Sequence, residues 1–131
     1  MNDPASRFEN WVAKGDEDHV AIRLLLVGPD TPWTVVSFHA QQAAEKYLKA
    51  LLVAKGQVVE KTHDLGRLLE LDVKLVPALA TLEEDCQRLT AYAVDSRYPD
   101  VLTGDLETLA HEAVAASERI CTAVRTHLPL P

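Results

Sequence analysis

The sequence has no long apolar run and only two cysteines among its 131 residues. Its longest uninterrupted apolar runs, such as residues 24–27 and 50–54, are far shorter than the roughly 20 residues of a membrane-spanning helix. The N-terminus also lacks the basic and apolar regions of a signal peptide. Cys86 and Cys121 lie within helical patterns, with no CxxC or histidine-rich spacing near them. We therefore expect a cytoplasmic protein without membrane contact, in which both cysteines are reduced core residues.

Positive charge is also scarce, because 13 lysines and arginines stand against 20 aspartates and glutamates and give a net charge of -7. A protein that coats nucleic acid usually carries a broad basic field, so RNA binding is a less favoured interpretation. The charge is uneven, since residues 46–74 contain six basic and four acidic residues while the segments on either side are net negative. This pattern favours a local anion site over a long nucleic-acid groove.

Strand-like alternation of apolar and polar residues is missing, and helical periodicity takes its place. No alternation lasts five residues, whereas apolar residues recur at spacings of three and four. Gly56 is the expected end of one helix and Asp64 the expected N-cap of the next. The pattern predicts an all-α, up-and-down bundle of about five helices in one domain spanning residues 1–131. The predicted helices are 6–27 with an interruption at Gly15, 33–55, 63–75, 78–94 and 104–127, with the second, fourth and fifth central.

The second predicted helix contains the most unusual polar residues of the chain. At 100° per residue, His39, Gln42, Lys46 and Lys49 fall within a sector of about 80°, opposite a side rich in alanine and leucine. The simplest interpretation of that sector is a solvated stripe. Gln41 lies off the stripe, and a glutamine buried there needs hydrogen-bond partners or costs roughly 1–3 kcal/mol. We expect Gln41 to have a structural role.

Recognisable catalytic signatures are absent from the sequence. It contains no nucleophile–base pair, no GxSxG, no P-loop, no set of carboxylates spaced for a metal and no nucleotidyltransferase GSxxxG motif. We therefore expect no metal and no cofactor, and no enzymatic activity by this chain alone.

Three blocks of sequence resemble the HEPN domain family. They are FHAQQAAEKYLKALL at 38–52, followed by Gly56, then KTHDL at 61–65 and YAVDSRYPD at 92–100. Members of this family are prokaryotic helical bundles that are often encoded beside a minimal nucleotidyltransferase. The resemblance implies a bundle of four or five helices that is commonly dimeric. It also implies kinship with the helical domain that completes the nucleotide and substrate site of aminoglycoside nucleotidyltransferases.

Many relatives in the wider superfamily are metal-independent ribonucleases with an arginine, four to six intervening residues and a histidine. This sequence does not match that motif, because 13 residues separate Arg97 from His111 and seven separate Arg119 from His127. We therefore predict no ribonuclease activity. A ribonuclease toxin with a displaced Arg/His pair remains an alternative, and it requires Arg97 to lie near a histidine such as His39 or His63.

The resemblance and the charge pattern together predict an anion site. Its candidate ligand residues for a phosphate or nucleotide are Lys46, Lys49, His63 and Arg97, with Gln41, Gln42, Glu45, Asp64, Tyr92 and Tyr98 in supporting positions. Arginine offers a planar fork to phosphate and lysine a mobile point charge. As an N-cap, Asp64 would leave backbone N–H groups nearby. Each residue also has an ordinary structural interpretation: arginine in an ion pair, histidine in a cap, tyrosine in the core.

The sequence thus predicts a protein that binds a nucleotide or phosphorylated ligand and acts as partner to a separately encoded nucleotidyltransferase, with a toxin–antitoxin module as one such pairing. A homodimer or heteromer is expected from the resemblance and from the alanine-rich helix faces. The third interpretation is a dimerisation or adaptor bundle without a ligand. In that case internal salt bridges would fill the region of Lys46, Lys49 and Arg97.

Overall fold

The computed structural model describes residues 7–95 and 105–130, and for residues 91–95 it describes the backbone alone. Five α-helices follow one another along these residues: α1 (Phe8–Leu26), α2 (Trp33–Ala54), α3 (Leu65–Leu75), α4 (Glu83–Asp95) and α5 (Leu106–Arg125). A short 3₁₀ helix, Pro77–Leu82, precedes α4. The described ranges contain no strand, so the predicted all-α bundle is confirmed.

Gly15 does not interrupt the first helix, contrary to the sequence-based prediction. α1 runs through it without a break, and Gly15 is buried against α2. A Cβ at this position would lie 2.8 Å from Cδ1 of the Tyr47 ring, which is closer than carbon atoms can approach. The glycine therefore permits a close contact between two helices, and it does not serve as a turn residue.

α2 is the central helix, because it contacts α1, α3, α4 and α5. Its buried side chains are mostly alanine and leucine, and fully burying a leucine such as Leu48 contributes about 1.5–3 kcal/mol. The predicted stop at Gly56 is confirmed, since this residue has a φ of 75°. The N–H of Gly56 donates to the Val53 carbonyl and that of Gln57 to the Leu52 carbonyl, which closes the helix in a Schellman motif.

The N-termini of α3 and α5 follow local capping chemistry. Asp64 caps α3 by accepting hydrogen bonds from the N–H groups of Gly66 and Arg67, as predicted. Asp105 caps α5, so this helix begins at Leu106, two residues later than the periodicity indicated. The predicted fourth helix starts as a 3₁₀ segment with Pro77 in its first turn. Apolar spacing does not separate the two helix types over so short a stretch.

Candidate functional site

Lys46 and His39 turn towards α1, and only 24% and 28% of their side chains are exposed. Both bind the buried carboxylate of Asp18, with Lys46 Nζ 2.7 Å from Oδ2 and His39 Nδ1 2.8 Å from Oδ1. The solvated stripe expected for this side of α2 is therefore wrong for both residues. Asp18 neutralises the positive charge of Lys46 from within the α1–α2 contact.

Lys49 lies deeper still, with only 6% of its surface exposed. Its Nζ is 3.1 Å from Oε2 of Glu45, one helical turn earlier, and 5.5 Å from the centroid of the Trp11 ring on α1. The helical wheel placed Lys49 on the solvated stripe, and this placement is also wrong. A wheel describes one helix alone, whereas Trp11 of the neighbouring helix covers this end of the stripe.

Glu45 is the centre of a polar cluster at the junction of α2 and α3. Its buried carboxylate accepts hydrogen bonds from Lys49 and from His63 Nδ1, the latter at 2.9 Å, and lies 3.4 Å from the amide nitrogen of Gln41. A buried carboxylate needs such donors to offset the cost of removing it from water. Three hydrogen-bond donors thus offset the cost of burying the Glu45 carboxylate.

Gln41 fulfils the expectation of a buried, hydrogen-bonded glutamine. It is fully buried, its Nε2 donates to the backbone carbonyl of His63 at 3.2 Å, and its Oε1 accepts from Gln42 at 2.8 Å. The bond to His63 spans 22 residues of sequence and fixes the segment that leads into α3. Gln41 therefore positions the backbone of a candidate ligand residue.

His63 is held by the protein and yet open to solvent. Its Nδ1 is bonded to Glu45, while 75% of its side chain is exposed. A carboxylate accepts hydrogen bonds, so the hydrogen of this contact is on Nδ1. The other ring nitrogen, Nε2, has no hydrogen-bond partner among the residues that the structure describes.

The start of α3 does not provide the free N–H groups that the sequence suggested. The backbone N–H groups of residues 64–67 all have acceptors, which are the side-chain oxygens of Thr62, Thr90 and Asp64 itself. An anion near His63 would therefore have to displace one of these bonds to reach the helix end.

Arg97 and Tyr98 lie outside the described residues, as does the side chain of Tyr92. Their predicted roles stay predictions, and so does the requirement of the ribonuclease alternative for Arg97 beside a histidine. Among the other predicted ligand residues, Glu45 joins Lys49 to His63, whereas Lys46 belongs to the separate Asp18 contact.

A second polar cluster was not anticipated from the sequence. The Tyr47 hydroxyl donates to Asp16 at 2.5 Å and accepts from Arg125 of α5 at 2.8 Å, beside a cleft of about 170 Å³. Burial, followed by the hydrogen bond to Asp16, raises the pKa of Tyr47. Only the packing of three helices brings these residues together, so no local spacing could have revealed the cluster.

Neither a metal-binding group nor a membrane span is found in the described part of the chain. No three histidine, cysteine, aspartate or glutamate side chains there are grouped as a metal site would require. No described helix is long and apolar enough to cross a membrane.

Comparisons with known proteins agree with this architecture. The HEPN domain family matches residues 8–127, which is nearly the whole chain. A crystal structure of TT1696 from Thermus thermophilus is similar, with a TM-score of 0.76 and 30% sequence identity, over 94% of this chain and 99% of that one. No curated protein matches the sequence. The family match and the shared fold together show that this chain belongs to the HEPN domain family.

Proposed function

We propose that this HEPN protein binds a nucleotide or another phosphorylated ligand and serves as the helical partner of a separately encoded nucleotidyltransferase, as in toxin–antitoxin pairs. The observation that carries the ligand site is His63, whose imidazole is fixed by a buried carboxylate and is 75% exposed. A side chain held in one orientation loses less conformational entropy on binding a ligand than a mobile one. The family relationship supports the partner role.

On the basis of these contacts we redistribute the roles within the predicted site. Lys46 and Lys49 are neutralised by Asp18 and Glu45, so we assign them to the support of α2 and not to the ligand. His63 contacts the ligand, and Gln41 and Glu45 position it. Arg97 keeps its predicted contact with phosphate, which its planar fork suits.

Isothermal titration calorimetry with adenosine and guanosine monophosphates tests the ligand site. We expect His63→Ala to weaken binding about tenfold, which corresponds to about 1.4 kcal/mol. His39→Ala is the matched control, because His39 also binds a buried carboxylate through Nδ1 but is only 28% exposed. Binding should weaken with added salt. Equal losses in both variants would contradict a specific role for His63.

Co-purification tests the partner role independently of the ligand. If a nucleotidyltransferase is encoded beside this gene, the tagged enzyme should retain this chain through size-exclusion chromatography. The His63→Ala variant should be retained equally well, because the ligand contact is not part of the protein–protein interface in this proposal. Failure to form the complex would remove the partner role and leave the ligand site to be judged by calorimetry.

A second candidate function is an adaptor bundle that has no ligand. The internal ion pairs of Lys46 with Asp18 and of Lys49 with Glu45 favour it, because they fill the region that was expected to be a positively charged pocket. Complex formation with a nucleotidyltransferase, together with no measurable heat on nucleotide addition, would make this the better description.

A further inference from the structure

The contact with Glu45 determines which nitrogen of His63 carries the hydrogen. Glu45 Oε1 is 2.9 Å from Nδ1, and the ionised carboxylate has no hydrogen to donate. In its neutral form the imidazole therefore has its hydrogen on Nδ1. The lone pair on Nε2 then points away from Glu45, on a side chain that is 75% exposed.

Both the ring and the backbone of His63 are held by α2. Glu45 binds the ring, and Gln41, one turn earlier on the same helix, donates to the His63 carbonyl at 3.2 Å. Lys49 in turn binds the second carboxylate oxygen of Glu45, at 3.1 Å. Because all three supporting side chains lie on one buried helix, they cannot easily reorient to allow the opposite tautomer.

We propose that His63, with its ring hydrogen on Nδ1, accepts through Nε2 a hydrogen bond from a hydroxyl group of the ligand, with Glu45 and Gln41 as positioning residues. This inference rests on the proposed nucleotide-binding function and specifies it. An ionised phosphate oxygen is itself an acceptor and gains nothing from a second acceptor, whereas a ribose hydroxyl can donate. The ligand is then a ribonucleotide whose sugar meets His63.

Nitrogen-15 NMR of the histidine rings tests the tautomer without any ligand. At pH 8.5, where imidazole side chains are neutral, wild-type His63 should show protonated Nδ1 and unprotonated Nε2. Glu45→Gln should shift His63 towards the Nε2–H form, because an amide also offers a donor to Nδ1. Asp85→Asn is the control, since it removes a carboxylate that pairs with Arg119 and does not touch His63. An Nε2–H form in the wild type, or an unchanged signal in folded Glu45→Gln, would overturn the assignment.

Binding of dideoxynucleotides tests the hydroxyl. Wild-type protein should bind adenosine or guanosine monophosphate about tenfold more tightly than the 2′,3′-dideoxy form, and His63→Ala should bind both equally weakly. Equal wild-type affinity for the two forms would overturn the hydroxyl contact. If neither form binds, the proposed function and this ligand both fail, while the tautomer is still decided by the NMR spectrum. The wild-type spectrum also decides the tautomer if Glu45→Gln does not fold.

Discussion

Two buried carboxyl groups, Glu45 on α2 and Asp72 on α3, have opposite surroundings. Glu45 has hydrogen-bond donors from Lys49, His63 and Gln41, and it connects two helices with the segment between them. Asp72 is fully buried on the core face of α3, and neither of its oxygens has a partner within the residues that the structure describes. Burial alone thus does not determine what a carboxyl group does in this bundle.

The difference appears in the charge of Asp72. Burial without a donor raises its pKa to about 8, from an ordinary value of 3.8, so Asp72 is mostly a neutral acid at pH 7. A neutral carboxylic acid is far cheaper to bury than a carboxylate, yet it still loses its hydrogen bonds to water. The cost of burying Asp72 on α3 is therefore not offset by hydrogen bonds, whereas the donors around Glu45 offset the cost of burying that carboxylate on α2.

The largest loss of stability should come from removing the carboxylate of Glu45 from its cluster with Lys49, His63 and Gln41. Glu45→Leu removes the acceptor of Lys49, which is only 6% exposed, and leaves a buried cation without its carboxylate. Loss of one partner of a buried ion pair costs about 3–5 kcal/mol. Urea unfolding at pH 7 measures the free energy of unfolding.

A double variant separates this cause from simple disruption of packing. Glu45→Leu combined with Lys49→Met removes both charges, so it should recover much of the lost stability. If the single variant were as stable as the wild type, Lys49 would have to reach solvent once Glu45 is gone. That result would mean that the burial of the cluster is not enforced by the fold.

Features set by local chemistry were predictable from the sequence, and features set by a neighbouring helix were not. The helix end at Gly56 and the cap at Asp64 depend on adjacent residues, and both predictions were confirmed. The solvated position of Lys49 and the break at Gly15 were wrong, because Trp11 covers the lysine and Tyr47 packs on the glycine. Apolar periodicity indicates where a helix is buried but not which side chain of another helix meets it.

The same limit applies to the candidate site. The sequence singled out His63 through its block and Gln41 through its position off the polar stripe, and the ligand role of His63 stays a prediction. The acceptor role of Glu45 could not be derived, because it depends on how the segment after α2 returns to that helix. The lack of a hydrogen-bond partner for Asp72 could not be predicted either. The sequence of α3 has the pattern of an amphipathic helix whether or not its aspartate has a partner.

The next effect should come from Asp72, and it should depend on pH. The folded-state pKa of about 8 lies above the ordinary 3.8, so the folded protein keeps a proton that the unfolded chain releases. Asp72 therefore contributes to the free energy of unfolding. This contribution is fully present below about pH 4 and is lost as pH rises to about 8, by at most about 1.4 kcal/mol per pH unit. Asp72→Asn should remove this dependence, so its stability relative to the wild type should increase from pH 5 to pH 8.

Asp105 is the matched control for the titration of Asp72. It caps α5, and its hydrogen bond with Thr108 lowers its pKa, so its contribution is lost only as pH falls below the ordinary range of aspartate. Asp105→Asn should therefore leave the dependence between pH 5 and 8 unchanged. Parallel stability curves for wild type and Asp72→Asn over that range would show that Asp72 is ionised throughout, and the contrast with Glu45 would disappear.

The smallest loss of stability should come from the ion pair of Asp85 with Arg119, because the arginine is exposed to solvent. Asp85 on α4 binds Arg119 on α5 through two hydrogen bonds, at 3.0 and 2.8 Å, and the arginine side chain is 52% exposed. Solvent screens such a pair, and Asp85 regains water when the arginine is removed. Arg119→Ala should cost less than about 1 kcal/mol in urea unfolding, and the cost should shrink further in high salt.

The geometry of this pair is at least as good as that of Lys49 with Glu45, so burial is what differs between them. A loss as large as that of Glu45→Leu would mean that hydrogen-bond geometry, and not removal from water, sets the value of an ion pair in this bundle.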